Sequence, residues 1–455
     1  MRYLRSLNKY FWKYRWRLIL GLVFIILSNY FRILSPQVTG YVVNAVEKEL
    51  TDSLNRKTIA GPAKNRAIIV EEKKQKKDTA NYDILVRKFI RRMDAKKPSF
   101  AKKVAICGIT LLVLALISGF FLFLMRQTII VMSRHIEYDQ KNEIYVHYQK
   151  LDLNFYKTHS TGDLMSRMSE DVSRVRMFTG PAIMYLSNLL VVIGFSLFFM
   201  IKKDALLTFY VLTPLPILAF TIYYVNTIIN KRSEHIQALL SSLTTNAQES
   251  YSGIRVIKSF VQEKAMFRFF EKNSEDYREN ATDLAKIESI YFPSMGLMIG
   301  LSTLLTIMIG GFYVIYGKHN TDIGTITEFV IYITMLMFPV SAIGWVASMT
   351  QRAAASQKRL NEFLDTEPQI KNPGNAVIKK LEGDILFDKV EFVYPNTGIH
   401  ALKDFNLHIK KGQKVAIIGR TGSGKTTIAQ LLLRMYDPTK GTLWIDGAEI
   451  GRAHV

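Results

Sequence analysis

Long apolar blocks alternate with polar stretches over most of the chain. Six blocks are each long enough for a helix of about 20 residues, the length that crosses the hydrocarbon of a bilayer. Their approximate bounds are 18–46, 104–131, 181–201, 206–229, 290–316 and 326–349. The pattern therefore predicts a polytopic α-helical membrane domain with six transmembrane helices over residues 18–350.

Two long polar segments, at 133–180 and 230–289, follow the second and fourth of these blocks. Apolar residues recur in both segments at helical spacing, so we expect the spans to continue into the cytoplasm as long helical arms. Gly162 and Gly253 interrupt the two patterns and predict turns at the tips of the arms.

Residues 1–17 precede the first apolar block. Leu4, Leu7, Phe11 and Tyr14 stand at helical spacing, with basic residues around them. This pattern predicts an amphipathic helix that lies in the membrane interface.

The pattern changes in the C-terminal part of the chain. The segment 351–377 is a predicted linker, in which a polar helix at 353–364 continues the sixth span before turn-forming residues at 366–375 break it. A soluble α/β domain opens at 378 and continues to 455. Apolar residues alternate with polar ones near 390–394 and 405–409, and a short run at 442–445 is bounded by turn residues, so all three predict strands.

The charge of the chain narrows its partners. The formal net charge is +22, which in a soluble chain would point to nucleic acid. Here 49% of the residues are hydrophobic, and Lys and Arg are spread over membrane flanks and loops. We therefore expect membrane lipids with anionic headgroups as partners, and no nucleic acid. The single cysteine, Cys107, excludes an intrachain disulfide.

An even number of spans places both chain ends on one side of the membrane. The basic N-terminus predicts that this side is the cytoplasm, in a multi-pass protein of the cell membrane such as a bacterial inner membrane. The loop over 47–103 then lies outside, although many basic residues in it oppose the positive-inside rule. They are Lys73, Lys74, Lys76, Lys77, Arg91, Arg92, Lys96 and Lys97.

One stretch near the C-terminus carries the spacing of a phosphate-binding loop, Gly, four residues, then Gly-Lys-Thr. Its residues are Gly419, Arg420, Thr421, Gly422, Ser423, Gly424, Lys425, Thr426 and Thr427. The glycines allow a tight turn in which consecutive N–H groups surround phosphate oxygens. Lys425 would reach the β- and γ-phosphates, and the Thr426 hydroxyl would ligate Mg²⁺. ATP and Mg²⁺ are the predicted cofactors.

The context of this loop supports the prediction. The apolar run at 414–418 predicts a buried strand before the loop, and strong helix formers at 428–435 predict a helix after it. Strand, loop and helix in this order favour a P-loop NTPase domain over the alternative of a glycine-rich turn without nucleotide.

With these features the chain resembles a half-transporter of the type I ABC exporter family. The resemblance rests on the predicted spans and arms and on several local matches besides the phosphate-binding loop. These matches are 155–156 with 161–167, 249–258 with Glu263, and 392–395 with 402–404. The expected fold is thus the membrane domain followed by a partial α/β P-loop domain, the N-terminal part of a nucleotide-binding domain at 378–455.

The resemblance implies further roles. Two half-transporters would pair, as a homodimer or a heterodimer, and would close two nucleotide-binding domains on ATP. Tyr394 would stack on adenine, although an ordinary strand aromatic is an alternative. The implied coupling residues, for which plain solvated turns are the alternative, are Thr161, Gly162, Asp163, Ser252, Gly253 and Arg255.

The later motifs of the family do not follow Thr427 in this sequence. They are a glutamine loop, a Leu-Ser-Gly-Gly-Gln signature, a Walker B run ending in Asp-Glu and a switch histidine. His454 comes too early in the sequence to be the switch histidine. No catalytic residue is therefore assigned, and we expect a fragment or a truncated product that does not hydrolyse ATP by itself.

The expected function is ATP-driven export of lipidic or amphipathic cargo, with ABC-type ATPase activity by resemblance. The alternative is a membrane-anchored ATP-binding regulator or channel without transport. Asn29, Arg32 and Gln37 form the most prominent polar set within the spans. Two interpretations of this set are left open. It binds a cargo headgroup, or Arg32 simply snorkels toward the interface.

Overall fold

The computed structural model describes residues 2–58, 82–96, 98–317, 321–371 and 380–450. These residues form two compact units. The first unit consists of Met1–Tyr14, Val131–Pro181 and Met349–Val455, and the second of Arg15–Ile130 and Ala182–Ser348.

The described chain is helical up to Leu364, apart from short breaks. The helices are α1 (Asn8–Lys13), α2 (Arg15–Thr58), α3 (Ile84–Lys96), α4 (Phe100–Lys150), α5 (Leu153–Thr158), α6 (Thr161–Ser166), α7 (Val172–Met177), α8 (Ile183–Lys203), α9 (Ala205–Leu212), α10 (Pro214–Ser252), α11 (Ile254–Ser259), α12 (Glu263–Ile315) and α13 (Ile323–Leu364). A 3₁₀ turn at Arg2–Leu7 precedes α1, and π-helical turns at Arg167–Asp171 and Phe178–Ala182 flank α7. The helical arms predicted after the second and fourth spans are confirmed.

Long apolar helices confirm a multi-pass helical membrane domain. Within the described ranges, five segments are long and apolar enough to cross a bilayer, namely Arg15–Thr51, Phe100–Lys150, Thr161–Lys203, Ala205–Ser252 and Glu263–Ile315. Helix α13 contributes a shorter apolar stretch, Ile323–Leu336. The count of six spans therefore stays a prediction.

Asp204 builds the short turn between the third and fourth apolar blocks. Its side chain accepts a hydrogen bond from the Leu207 backbone N–H at 2.9 Å and so caps the first turn of α9. Helix α9 ends at Leu212, and Pro214 starts α10, since the fixed φ of proline suits a first helical turn. The predicted span over 206–229 lies within the apolar segment Ala205–Ser252 and is built from two successive helices, α9 and α10.

The main core of the second unit lies where α2, α8, α9 and α13 meet. Large side chains from these helices are fully buried there, among them Ile33, Phe199, Leu207, Phe329 and Tyr332. Between helices in a membrane, such interlocking stabilises the bundle through van der Waals contact rather than through exclusion of water.

Helix α3 belongs to the basic loop predicted over 47–103. It buries Val86 and Ile90 against Leu34 and Val38 of α2. The described part of this loop is thus packed protein. The lysines at positions 73, 74, 76, 77 and 97 lie outside the described residues.

The N-terminal stretch is part of the first unit. Instead of one helix over 1–17, the chain forms a 3₁₀ turn and α1, and it breaks at Tyr14 before α2 begins. Leu7 and Tyr10 are buried, whereas Trp12 is 73% exposed and Trp16, at the start of α2 in the second unit, is 69% exposed. Exposed tryptophans suit a membrane interface. The interfacial role of this stretch stays a prediction.

Polar contacts fix the helices of the first unit. Lys9 and Lys13 in α1 pair with Glu143 and Asp139 in α4 at 2.5 and 2.6 Å. Arg359 near the end of α13 donates to the buried carboxylate of Asp171, with its Nε at 3.0 Å from one oxygen and an Nη bonded to the other. A guanidinium and a carboxylate joined by two parallel bonds hold a defined geometry.

A small sheet ends the first unit. Its strands are β1 (Ile385–Val393), β2 (His400–Ile409), β3 (Lys440–Ile445) and β4 (Ala448–Ile450), in the order β2-β1-β3-β4, and all the pairings are antiparallel. Helix α14 (Lys425–Leu432) follows the phosphate-binding loop and buries Ile428 and Leu431 against Phe387 and Phe392 of β1. The three strands expected from alternation and turn signals are confirmed.

The strand predicted at 414–418 is wrong. These residues form no strand with any described part of the chain, and they are exposed, Ile418 at 93%. An apolar, β-branched run becomes a strand only where a neighbour supplies backbone hydrogen bonds. In the described sheet the four strands pair with one another instead.

Candidate nucleotide-binding site

The phosphate-binding loop takes its shape from two glycines. Gly422 and Gly424 have φ angles of +84° and +87°, a conformation that favours glycine. A Cβ at Gly424 would lie 2.6 Å from the Ala401 carbonyl oxygen in β2. Helix α14 can therefore begin this close to β2 only because residue 424 is glycine.

Lys425 is the first residue of α14, and its side chain folds over the loop. Its Nζ donates to the carbonyl oxygens of Gly419 and Arg420 at 2.8 and 2.7 Å and lies 3.4 Å from Ser423 Oγ. The Ser423 N–H donates to the Arg420 carbonyl at 3.1 Å. A phosphate would compete well for this ammonium group, because charge-assisted bonds to anionic oxygens are stronger than bonds to carbonyls.

The two threonines after Lys425 lie in different surroundings. Thr426 is exposed, like Arg420 and Thr421, so its hydroxyl is accessible to a metal ion held by phosphates. Thr427 is buried, and its Oγ1 lies 2.9 Å from the Tyr394 hydroxyl. No group of three or more His, Cys, Asp or Glu side chains within the described ranges could hold a metal ion.

Tyr394 follows β1 and lies against α14. Its hydroxyl is 3.1 Å from Gln430 Oε1 and bonds to Thr427, and its ring packs edge-on against Phe392 and Tyr436. The residue predicted to stack on adenine is therefore tied to the helix that starts at the phosphate-binding loop. Tyr394 and Lys425 thus both adjoin α14, Tyr394 by contact and Lys425 as its first residue.

Lys157, in α5, is part of the same surroundings, and the sequence did not point to it. Its Nζ lies 4.7 Å from the centre of the Tyr394 ring and 5.4 Å from that of Tyr436. A cation over an aromatic face is attracted by the electron density of the ring. The only signal in the sequence was the position of Lys157 just after Phe155-Tyr156, and it carried no information about the partner ring.

The first coupling segment opens α6. Thr161, Gly162 and Asp163 form its first turn, and the Ser160 hydroxyl accepts the Asp163 N–H at 3.2 Å. Asp163 also pairs with Arg167 at 2.8 Å. The turn predicted at Gly162 is wrong, because the serine cap starts a helix before that residue and Gly162 lies inside it.

The second coupling segment belongs to the other unit. Ser252 ends α10, Gly253 forms the turn, and Arg255 lies in the short helix α11. The turn predicted at Gly253 is confirmed. Tyr251 and Val256 beside it are 76% and 61% exposed, so this tip presents apolar side chains on its surface.

The polar set of the first span is divided by the structure. Asn29 and Arg32 line a cavity in the second unit together with Asn188 and Arg126. Gln37 is buried elsewhere, and its Oε1 accepts the Asp83 N–H at 2.9 Å. The grouping of Gln37 with Arg32 is therefore wrong. Arg126 was missed because it lies close to the end of a predicted span, where an arginine is unremarkable in a sequence.

Comparison with known protein families identifies the class. Residues 18–340 match the family model described as the ABC transporter transmembrane region, and residues 402–454 match the model described as ABC transporter. The first match covers more than half of the chain, so the chain belongs to the ABC transporter family. The observed order, a helical membrane domain and then a P-loop segment, agrees with this membership.

Several curated relatives have descriptive names. "Probable multidrug resistance ABC transporter ATP-binding/permease protein YheI" of Bacillus subtilis is 35% identical over 299 residues, which are 65% of this chain and 50% of the relative. "Multidrug resistance-like ATP-binding protein MdlA" of Escherichia coli is 29% identical over 336 residues, 73% of this chain and 56% of the relative. "ATP-dependent lipid A-core flippase" of Syntrophus aciditrophicus is 29% identical over 323 residues, which are 70% of this chain and 53% of the relative. The chain thus spans about half the length of these relatives.

Proposed function

We propose that the chain provides the membrane domain and the ATP-binding loop of an exporter that moves lipidic or amphipathic cargo out of the cytoplasm or the inner leaflet. The observation that carries the proposal is the link from Tyr394 through Thr427 to the loop of Lys425, in a chain with a multi-pass helical domain. The names of the relatives, for multidrug resistance and for a lipid A-core flippase, support the cargo class.

Different residues of the site would contact different parts of the nucleotide. Tyr394 would stack on adenine, and the backbone N–H groups of residues 419–424, with Lys425, would surround the phosphates. Thr427 holds Tyr394 in place by its hydroxyl contact. Thr426 would ligate Mg²⁺, which neutralises phosphate charge when it is bound.

The proposal includes a second half-transporter, identical or different, because a family site is completed by its partner. The tips at Thr161–Asp163 and Ser252–Arg255 would pass the movement of the nucleotide-binding domains to the membrane helices. The protein would lie in the cell membrane with its N-terminus and Lys425 in the cytoplasm. The basic first turns and the need of the loop for ATP support this orientation.

Reconstitution tests the proposal. The full-length protein that carries this sequence would be placed in liposomes containing a fluorescent short-chain phospholipid, and in others containing an amphipathic dye. We expect ATP with Mg²⁺ to move one of these probes across the bilayer, whereas a non-hydrolysable ATP analogue moves neither in repeated cycles. Binding of ATP without movement of either probe would contradict export and would favour a membrane-anchored regulator or channel.

A further inference from the structure

A cavity of about 360 Å³ lies among α2, α4 and α8 in the second unit. The polar residues that line it include Ser28, Asn29, Arg32, Ser118, Arg126 and Asn188. None of the described residues that line it is acidic. The cavity therefore carries two positive charges, and its own wall does not neutralise them.

The position of Arg32 makes this arrangement costly. Arg32 comes 14 residues after Leu18, which is about 21 Å along a helix that starts at the edge of the predicted span. A hydrocarbon core is about 30 Å thick, so this charge lies well inside it, where an ionised side chain is expensive and usually serves a function. Within the described ranges neither Arg32 nor Arg126 has a hydrogen-bond or ion-pair partner.

Bonds between helices fix the wall of the cavity. Asn29 is buried and donates to the Ile25 carbonyl at 2.9 Å and to Asn188 Oδ1 at 2.8 Å, which joins α2 to α8. Ser28 and Ser118 each donate to the carbonyl oxygen of the other at 3.0 Å, which joins α2 to α4. The polar part of the cavity is thus preorganised before any ligand enters.

Most of the remaining lining is apolar. Leu114, Leu122, Met125 and Met184 lie in the same wall. Flexible methionines adapt to alkyl chains of different shape. A ligand that fits both parts has one anionic group and one hydrocarbon group.

We propose that this cavity binds a phosphate-type anionic group through Arg32 and Arg126. Guanidinium groups bind phosphate oxygens in pairs of parallel hydrogen bonds, which gives geometric selectivity as well as charge. The phosphate group belongs to an amphiphile whose alkyl part lies on the apolar wall, or it is a free phosphate ion. The assignment to an amphiphile rests on the proposed export function, because the amphiphile would be the cargo.

Binding without nucleotide tests the site independently of transport. The full-length protein in dodecyl maltoside would be titrated calorimetrically with monododecyl phosphate, dodecyltrimethylammonium and inorganic phosphate. The variants are Arg32→Gln, Arg126→Gln and the double change, with Arg17→Gln as the control, since Arg17 is exposed on α2 outside the cavity. Arg32→Lys and Arg126→Lys keep the charge but lose the paired geometry.

We expect monododecyl phosphate to bind in preference to the ammonium amphiphile. Each glutamine change should weaken its binding about tenfold or more, in keeping with the loss of a charge-assisted hydrogen bond. The lysine changes should weaken it less, and Arg17→Gln should leave it unchanged. If the affinity for inorganic phosphate falls in the arginine variants as much as the affinity for monododecyl phosphate does, the site is assigned to the free anion. If the affinity for inorganic phosphate does not depend on the arginines, the site is assigned to the amphiphile.

Two results would overturn the proposal. One is equal affinity of the wild-type protein for the phosphate and ammonium amphiphiles, which can be measured even if the glutamine variants do not fold. The other is a folded double variant that binds monododecyl phosphate as tightly as the wild type does. Arginine-dependent binding in a protein that moves no cargo with ATP would keep the site and reject only the export function.

Discussion

Lys203 and Glu328 form a buried ion pair in the second unit, with Lys203 Nζ 3.0 Å from Glu328 Oε1. Their side chains are only 9% and 2% exposed. The ammonium also lies 3.9 Å from the centre of the Tyr82 ring. A Cβ at Gly40 would come within 2.5 Å of the Glu328 carboxylate, so α2 approaches α13 closely at this point. The pair thus joins the end of α8 to the beginning of α13, beside α2.

Lys203→Met should destabilise the protein strongly. The change leaves the Glu328 carboxylate buried without its partner, which typically costs about 3–5 kcal/mol. The double variant Lys203→Met with Glu328→Leu should recover much of the loss, because apolar pairs often replace buried ion pairs without penalty. Thermal unfolding of the purified protein in detergent measures both effects. Lys202→Met, at the exposed neighbouring residue, is the matched control. It removes one long hydrogen bond, of 3.4 Å to the Tyr82 carbonyl, and should change the stability far less.

Tyr394→Ala should weaken ATP binding by about 1–3 kcal/mol, the usual contribution of base stacking on an aromatic ring. Tyr394→Trp should largely restore affinity, because tryptophan provides a larger stacking surface. Tyr394→Phe separates stacking from the hydroxyl contacts to Thr427 and Gln430. Titration with a fluorescent ATP analogue gives the affinities. If Tyr394→Ala lowers ATP affinity no more than Lys389→Ala does, a change at an exposed residue of β1, adenine does not stack on Tyr394.

Lys157→Ala should raise ATP affinity by about two- to fivefold. The ammonium of Lys157 lies over the Tyr394 ring, and an exposed cation–π contact is worth about 0.5–1 kcal/mol, which adenine must displace in order to stack. The same titration measures the effect, with Lys150→Ala as a control at an exposed lysine three residues before α5 begins. A fall in affinity would show that Lys157 binds the nucleotide instead of competing with it.

Local signals in the sequence predicted the long apolar helices and their arms, the strands β1, β2 and β3, and the loop of Lys425. Each of these depends on residues close in the chain, such as apolar spacing, turn residues and the fixed positions of glycines. The failure at 414–418 has a different origin. Its apolar run has the composition of a buried strand, but a strand also needs neighbours from other parts of the chain, and the described sheet supplies none.

Helical geometry could have separated Gln37 from Arg32. Five residues at 3.6 per turn place their side chains about 140° apart, on different sides of α2. The contribution of Arg126 could not be predicted in this way. Only the packing of α2 against α4 and α8 brings it to the cavity of Arg32, and spacing along one helix does not contain that information.

Cysteine labelling should place α3 outside the cell and the polar part of α12 inside it. In a Cys107→Ser background, Arg91→Cys should react with a membrane-impermeant maleimide in intact cells. Arg268→Cys, which is also at an exposed arginine, should react only after lysis. Cys107 itself is buried, so its removal should have little effect on labelling at either site. Labelling in the reverse order would contradict a cytoplasmic N-terminus and the proposed orientation.

Lys425→Ala should abolish ATP-driven transport by the full-length protein while leaving its insertion in the membrane intact. Among the residues that the structure describes, the ammonium is bound only to the loop carbonyls and Ser423, so its loss should barely affect the packing of the membrane helices. It does remove a charge-assisted contact to the phosphates and the stabilisation of charge that develops during their transfer. Thr426→Ala should give a milder defect that excess Mg²⁺ reduces, because water can replace one of several metal ligands. Transport assays over a Mg²⁺ series, with membrane fractionation as the insertion control, test this order. A more severe defect in Thr426→Ala than in Lys425→Ala would contradict the roles proposed for both residues.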